Sequence, residues 1–147
     1  MLFRSQRTGI GEVIKTGNTL DAVISSALLE NIFVVNTPLH DGATVIRNDR
    51  IIAAGCFLPL TNNDKISKKL GTRHRAAIGI TETSDALTII VSEETGVISL
   101  AMNGRLMRNY DRDKLKNVLV QIIKRRQTKK VTLKERVKAW IKNGKNN

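Results

Sequence analysis

Apolar residues along the chain change period several times, and each change marks an expected element. Residues 1–18 hold Gly9, Gly11 and Gly17 with no sustained period, so they read as irregular. From Leu20 to about Phe33, the positions Leu20, Val23, Ile24, Ala27, Leu28 and Ile32 follow helical spacing and predict a helix capped by Asn18 or Thr19. Ala43–Arg47 and Arg50–Phe57 are apolar runs of strand length, and the two-residue joint Asn48-Asp49 predicts a hairpin. A polar stretch after Pro59 leads to a short helix near Lys65–Leu70, a helix starting at Thr72 and a strand around Ala77–Thr81. A second hairpin joins Leu87–Val91 to Val97–Met102 through Ser92-Glu93-Glu94-Thr95-Gly96. Leu115, Val118, Leu119, Ile122 and Ile123 then form one stripe of an amphipathic helix, expected to pack on the sheet. Thr132-x-x-Glu135 has the form of a capping box for a last basic segment with Val137, Trp140 and Ile141.

Length and charge narrow this outline. With 147 residues the chain can build one domain with a core and is too short for two. The net charge of +12 is unevenly placed. Residues 112–147 carry 13 Lys/Arg against 2 Asp/Glu, leaving 12 basic and 11 acidic groups in residues 1–111. The body is nearly neutral, and the basicity belongs to the tail. The single cysteine, Cys56, rules out an internal disulfide framework and a cysteine-based zinc site, and its apolar surroundings predict burial. No apolar run approaches the roughly 18 residues of a membrane span, so the chain as given reads as cytoplasmic.

Two polar blocks set against strand-like sequence carry the candidate chemistry. In Asn36-Thr37-Pro38-Leu39-His40-Asp41-Gly42-Ala43, Gly42 permits a tight turn and places the Asp41 carboxylate at a strand edge. Taken alone, that is ordinary Asp-Gly turn chemistry. In Leu70-Gly71-Thr72-Arg73-His74-Arg75, a helix starting at Thr72 aims its free N–H groups at the same space as the guanidiniums. Arginine matches phosphate oxygens in a bidentate way. A helix also splays consecutive side chains, so not all four can face one ligand. The adjacent acids Glu93 and Glu94 point to opposite faces at a strand end, so at most one joins Asp41 at a metal. A metal-binding acid with an anion-gripping cluster suits an enzyme that handles a nucleoside triphosphate.

In order and spacing these blocks resemble the diadenylate cyclase domain family, and most of all its bacterial membrane-anchored branch, which makes cyclic di-AMP. The likeness runs from about Gly9 to Asn103. It includes Asn31-Ile32-Phe33, the Asp41 block, Cys56-Phe57-Leu58-Pro59-Leu60, the stretch from Ile66 to Ala77, and Leu87 to Gly96. The resemblance implies an enzyme that joins two ATP molecules into cyclic di-AMP with release of two pyrophosphates, at the face-to-face interface of a homodimer. By the same likeness Asp41, Gly42, Ala43, Arg73, His74 and Arg75 are catalytic. Leu58, Thr72, Arg73, His74, Arg75 and Ser92 bind ATP, and Asp41, His40 and Glu94 hold Mn2+ or Mg2+.

Two departures qualify the match: the start of the chain, and the long basic tail after Tyr110, which is not part of the family's motif pattern. The family domain usually begins with a helix and strand that precede the material here, and the anchored branch has membrane helices before that. The chain is therefore expected to be N-terminally truncated, with the full-length protein anchored to the membrane and this domain in the cytoplasm. Leu2–Ser5 also match the translation of a common sequencing-adapter end, which suggests a foreign origin for Met1–Ser5.

The reading is thus a single α/β domain over residues 1–111, with a mixed, mostly antiparallel central sheet flanked by helices. A basic helical tail over 112–147 follows. Trp140 and Ile141 amid lysines suit an anionic membrane rather than nucleic acid. The alternative function is a nucleotide-binding regulatory domain that has lost catalysis, its tail binding nucleic acid or membrane.

Overall fold

The computed structural model describes residues 2–4, 10–64, 66, 67 and 70–125. They separate into two compact units, the first ending at Asn109 and the second beginning at Tyr110.

The first unit is built on a seven-stranded sheet. In chain order its elements are β1 (Leu2–Arg4), α1 (Gly11–Lys15), β2 (Asn18–Val23), α2 (Ser26–Ile32), β3 (Ala43–Arg47), β4 (Arg50–Cys56), α3 (Thr72–Thr83), β5 (Leu87–Val91), β6 (Ile98–Met102) and β7 (Arg105–Tyr110). The strand order is β2-β4-β3-β1-β5-β6-β7. Strand β1 runs parallel to β3 and antiparallel to β5, while β2–β4, β3–β4 and β5–β6 are antiparallel. The sheet is mixed and mostly antiparallel, as the sequence led us to expect.

Helices cover both faces. Val13 of α1 and Ile80 of α3 pack with Val45 and Ala53 on one side. Ile32 of α2 packs with Ile46, Ile51 and Ala54 on the other. Ala77 of α3 extends the first layer over Ile90 and Ala101. Cys56 is a buried member of this core, as expected. Burial pushes its thiol pKa upward.

Two hairpin joints carry left-handed backbone. Asn48 and Asp49 have φ of 49° and 61°, the left-handed pair that a two-residue turn needs to follow the strand twist. Asn103-Gly104, at 51° and 71°, does the same between β6 and β7.

Four expectations are corrected. The irregular stretch 1–18 contains the central strand β1 and the helix α1. The helix expected from Leu20 is strand β2 followed by α2, and the break is Ser25, whose hydroxyl accepts the Leu28 N–H at 3.2 Å as a helix cap. Pairing of β2 with β4 overrides the helical spacing, and the register shift between Thr19 and Ala22 allows both alignments. No helix forms at Ile66, Ser67 and Leu70, the described residues of the expected 65–70 helix. The strand expected at Ala77–Thr81 is the second half of α3. There Ala76 to Thr81 are all buried, so no polar face announces the helical period.

The second unit holds a helix over 112–125. Asp111 caps it, its Oδ1 accepting the Lys114 N–H at 2.8 Å. Leu115, Val118, Leu119, Ile122 and Ile123 are its less exposed positions, matching the expected stripe. The expected segment carrying Val137, Trp140 and Ile141 lies outside the described residues.

Candidate active site

Asp41 and Gly42 close the turn that delivers the chain into β3. Gly42 has φ +113°, and a Cβ there would lie 2.8 Å from the Cys56 carbonyl oxygen and 2.8 Å from the Gly55 carbonyl carbon. Only glycine meets both conditions, since a side chain would need an unfavourable backbone and would strike β4. The turn thus lies directly on β4 while the Asp41 carboxylate stands in solvent.

Helix α3 begins where the sequence placed it. Its N-cap is Gly71, and no side chain caps the first turn. Its first N–H groups and the positive end of its dipole are therefore open to a ligand. Arg73 Nη1 meets Glu93 Oε2 at 2.7 Å and Arg73 Nη2 meets Asp41 Oδ1 at 3.3 Å. Both pairs are solvent-exposed, so each contributes on the order of 0–1 kcal/mol and exchanges readily for a stronger anion.

Three cavities meet at Arg73. One, of about 340 Å³, lies between Gly71–His74 and the turn Ser92–Thr95, with Arg108 on its wall. A second, of about 370 Å³, is lined by Phe33, Val35, His40, Gly42, Arg73, Ile89 to Val91, Ser92 and Glu93. A third, of about 180 Å³, is lined by Asp41, Gly42, Ala43, Cys56, Phe57, Leu58, Leu60, Thr72, Arg73 and Ala76. The first offers cationic groups and N–H donors, the third an apolar wall facing a carboxylate.

Most of the expected residues come together here, although not all in the expected way. Asp41, Gly42, Ala43, Leu58, Thr72 and Arg73 share the third cavity. Thr72, Arg73, His74, Ser92 and Glu94 share the first. Arg75 lines none of the three. Asp41, His40 and Glu94, the expected metal ligands, line three different cavities, and the described residues contain no group of three metal-binding side chains. His40 is tied down locally, its Nδ1 at 2.6 Å from the Thr37 carbonyl oxygen.

His74 is half-buried, and its Nε2 has no hydrogen-bond partner among the described residues. Burial, and after it the positive charge of Arg108, hold its imidazole below the ordinary histidine pKa. Arg108 escaped the sequence reading because it sits on a strand, β7, that was itself missed. Asn103-Gly104 was the available signal for that strand.

Together the fold and this site define an α/β domain whose cavities gather cationic side chains and the open N–H groups of a helix N-terminus. The chain belongs to the DAC family, described as DisA bacterial checkpoint controller nucleotide-binding, which matches residues 1–106. Cyclic di-AMP synthase CdaA of Bacillus subtilis is 56% identical over 119 residues, covering 81% of this chain and 44% of that protein. The chain thus spans less than half the length of that relative. Among solved structures, DacA from Staphylococcus aureus superposes with a TM-score of 0.77 at 48% identity, covering 82% of this chain and 80% of that one. A protein from Bacillus cereus described as a hypothetical membrane spanning protein gives a TM-score of 0.70 at 45% identity, covering 75% and 54% respectively.

Proposed function

We propose that this chain is a diadenylate cyclase that condenses two ATP molecules into cyclic di-AMP and releases two pyrophosphates. The observation that carries this reading is the placement of Arg73. It is common to all three cavities and paired with Asp41, in a domain of the family to which a cyclic di-AMP synthase is 56% identical. The apolar cavity beside Leu58 takes the adenine, and the cavity at the α3 N-terminus takes the phosphates. Arg73 then exchanges its two carboxylate partners for phosphate oxygens.

In each of two displacements, a ribose 3′-oxygen bonds to the α-phosphorus of the other ATP. The bond from that phosphorus to the bridging oxygen breaks, and pyrophosphate leaves. Asp41 accepts the hydroxyl proton, while Arg73 and the first N–H groups of α3 stabilise the negative charge that builds on phosphate. His74, neutral near pH 7, serves as a hydrogen-bonding wall of the phosphate cavity.

The residues present fit a divalent cation shared with substrate better than one caged by protein. Mg2+ is commonly held by one or two carboxylates together with phosphate oxygens, and Asp41 is an exposed carboxylate at the right edge. When bound there, Mn2+ or Mg2+ would neutralise phosphate charge and make the hydroxyl more acidic.

Two subunits facing each other complete the reaction, because one ATP per subunit cannot close a ring. Around the cavities Val35, Phe57, Leu60 and Val91 are 51–69% exposed, an apolar rim suited to being covered by a second copy. Membrane attachment is also part of this proposal, supported by the likeness to a protein described as membrane spanning. No helix among the described residues is itself long and apolar enough to cross a membrane.

The test is to incubate the purified chain with ATP and Mn2+ or Mg2+ and measure cyclic di-AMP and pyrophosphate. We expect both, in a ratio of about 1:2 from the stoichiometry, with activity per subunit rising with protein concentration. ATP binding without product would favour the alternative of a catalytically silent nucleotide-binding domain. Constant specific activity in a purely monomeric sample would remove the two-subunit mechanism.

A further inference from the structure

Arg75 follows Arg73 by two positions on α3, which turns its side chain about 200° around the helix axis. It points to the loop that follows β4. There Arg75 Nη2 donates to the carbonyl oxygen of Thr61 at 3.4 Å, and the Thr61 N–H donates back to the Arg75 carbonyl at 3.2 Å. Thr61 is only 1% exposed. Its hydroxyl donates to Glu82 Oε1 at 2.7 Å and accepts the Asn63 N–H at 3.1 Å. Every polar group of Thr61 is thereby engaged, and three of those four bonds run to α3.

Arg75, Gly79 and Glu82 are spaced i, i+4, i+7 and so share one face of the helix. Between the two polar anchors, Gly79 brings the loop backbone onto α3. A Cβ at Gly79 would lie 2.3 Å from the Pro59 carbonyl oxygen and 2.7 Å from the Thr61 nitrogen. Just before this anchored point, Phe57, Leu58 and Leu60 line the cavity that also holds Asp41 and Arg73. The helix carrying Arg73 therefore also fixes the wall opposite it.

We infer that Arg75 is a positioning residue rather than a phosphate ligand. With Gly79 and Glu82 it clamps Thr61 and sets the distance between the Leu58 wall and Arg73. This rests on the reading that the Leu58 cavity takes the adenine. The clamp then fixes where the base lies relative to the phosphates, and its loss is felt by the base itself. A phosphate ligand acts only on the charged part of the substrate.

Two ligands without the attacking hydroxyl separate these roles: 3′-deoxyadenosine, which has no phosphate, and 3′-deoxy-ATP. Affinities of the full chain and its variants are measured by calorimetry, with thermal melts alongside. Arg75→Ala and Glu82→Ala are expected to weaken both ligands by a similar factor, about fivefold or more, as for a lost bond involving a charged group. Glu82→Gln, which keeps the acceptor, is expected to restore both. Arg73→Ala is expected to weaken 3′-deoxy-ATP alone. If Arg75→Ala melts below the assay temperature, Glu82→Ala carries the same comparison.

Unchanged 3′-deoxyadenosine affinity in Arg75→Ala and Glu82→Ala overturns the inference, whatever happens to 3′-deoxy-ATP. If wild type binds 3′-deoxy-ATP but no 3′-deoxyadenosine at millimolar concentration, the base-cavity reading falls and takes the inference with it. If wild type binds neither, the nucleotide-site reading itself fails.

Discussion

Asp41 and Arg73, thirty-two positions apart in the chain, face each other with Oδ1 and Nη2 3.3 Å apart. Glu93 holds the other side of the same guanidinium at 2.7 Å. In this state a cation rests between two carboxylates, its fork already spread. On the proposed reading, an incoming triphosphate offers more negative charge than either acid and would displace them, which would release Asp41 for the hydroxyl and a divalent cation.

Asp41→Asn keeps the shape of that side chain and removes its charge. Turnover is expected to fall by about 10²-fold or more, the usual scale of lost acid–base assistance, while ATP binding persists. Steady-state rates and calorimetry on the same preparation check this. Undiminished turnover in the variant would remove Asp41 from the mechanism.

Gly42→Ala is expected to cost stability as well as activity. The new methyl group would be pressed to 2.8 Å from the backbone of β4 at a φ of +113°. Overpacking of this kind costs roughly 1–3 kcal/mol, and the left-handed backbone adds to it. Urea unfolding monitored by circular dichroism gives the number. A change below about 0.5 kcal/mol, the range of ordinary surface substitutions, would show that the turn relaxes freely.

His74 gives a pH dependence of known sign. Its imidazole is held below the ordinary value of about 6.5 by burial and then by Arg108. Between the lowered native pKa and the unfolded one, the unfolded chain binds more protons. Stability therefore falls as pH drops through about 6.5 and levels off below the native pKa. His74→Gln is expected to flatten this part of the curve, and Arg108→Ala to reduce it. Denaturant midpoints collected from pH 5 to 8 provide the test. Identical slopes in wild type and His74→Gln would refute it.

The tail prediction rests on sequence. Residues 127–147 combine lysines with Trp140 and Ile141, and each basic residue near an anionic bilayer contributes about 1 kcal/mol. Deleting them is expected to leave cyclase activity intact and to abolish binding to vesicles of mixed zwitterionic and anionic lipid. Cosedimentation at low and high salt measures this. Failure of the full chain to bind at low salt would rule the contact out.

The legible parts of the fold were those specified by local chemistry. The Asn48-Asp49 turn, the hairpin from Leu87 to Met102 and the start of α3 at Thr72 all follow from short-range rules. Strand β2 did not, because Leu20, Val23 and Ile24 mimic a helical face until pairing with β4 decides the matter. The second half of α3 was hidden by its own burial. At the site, the two motif blocks located Asp41 and Arg73. They could not assign Arg75, since its orientation depends on where a loop from another part of the chain comes to rest. The expectation that a helix would splay consecutive side chains already implied that one of them would be directed elsewhere.

Strand β1 has one more consequence. Asp41 precedes β3 and Glu93 follows β5, and these two strands are kept apart by the three residues Leu2–Arg4. Thr44 and Ile89 stand level across it, both opposite Leu2, so both acids emerge at the same end of the sheet. Neighbouring strands lie about 4.8 Å apart, and that interval is inserted between the two carboxylates that Arg73 spans. Strand β1 thus gauges the site, with one strand's width setting the reach demanded of one arginine. A preparation trimmed or fused at Leu2–Arg4 would change that width, and with it the reach demanded of Arg73, without altering Asp41, Arg73 or Glu93.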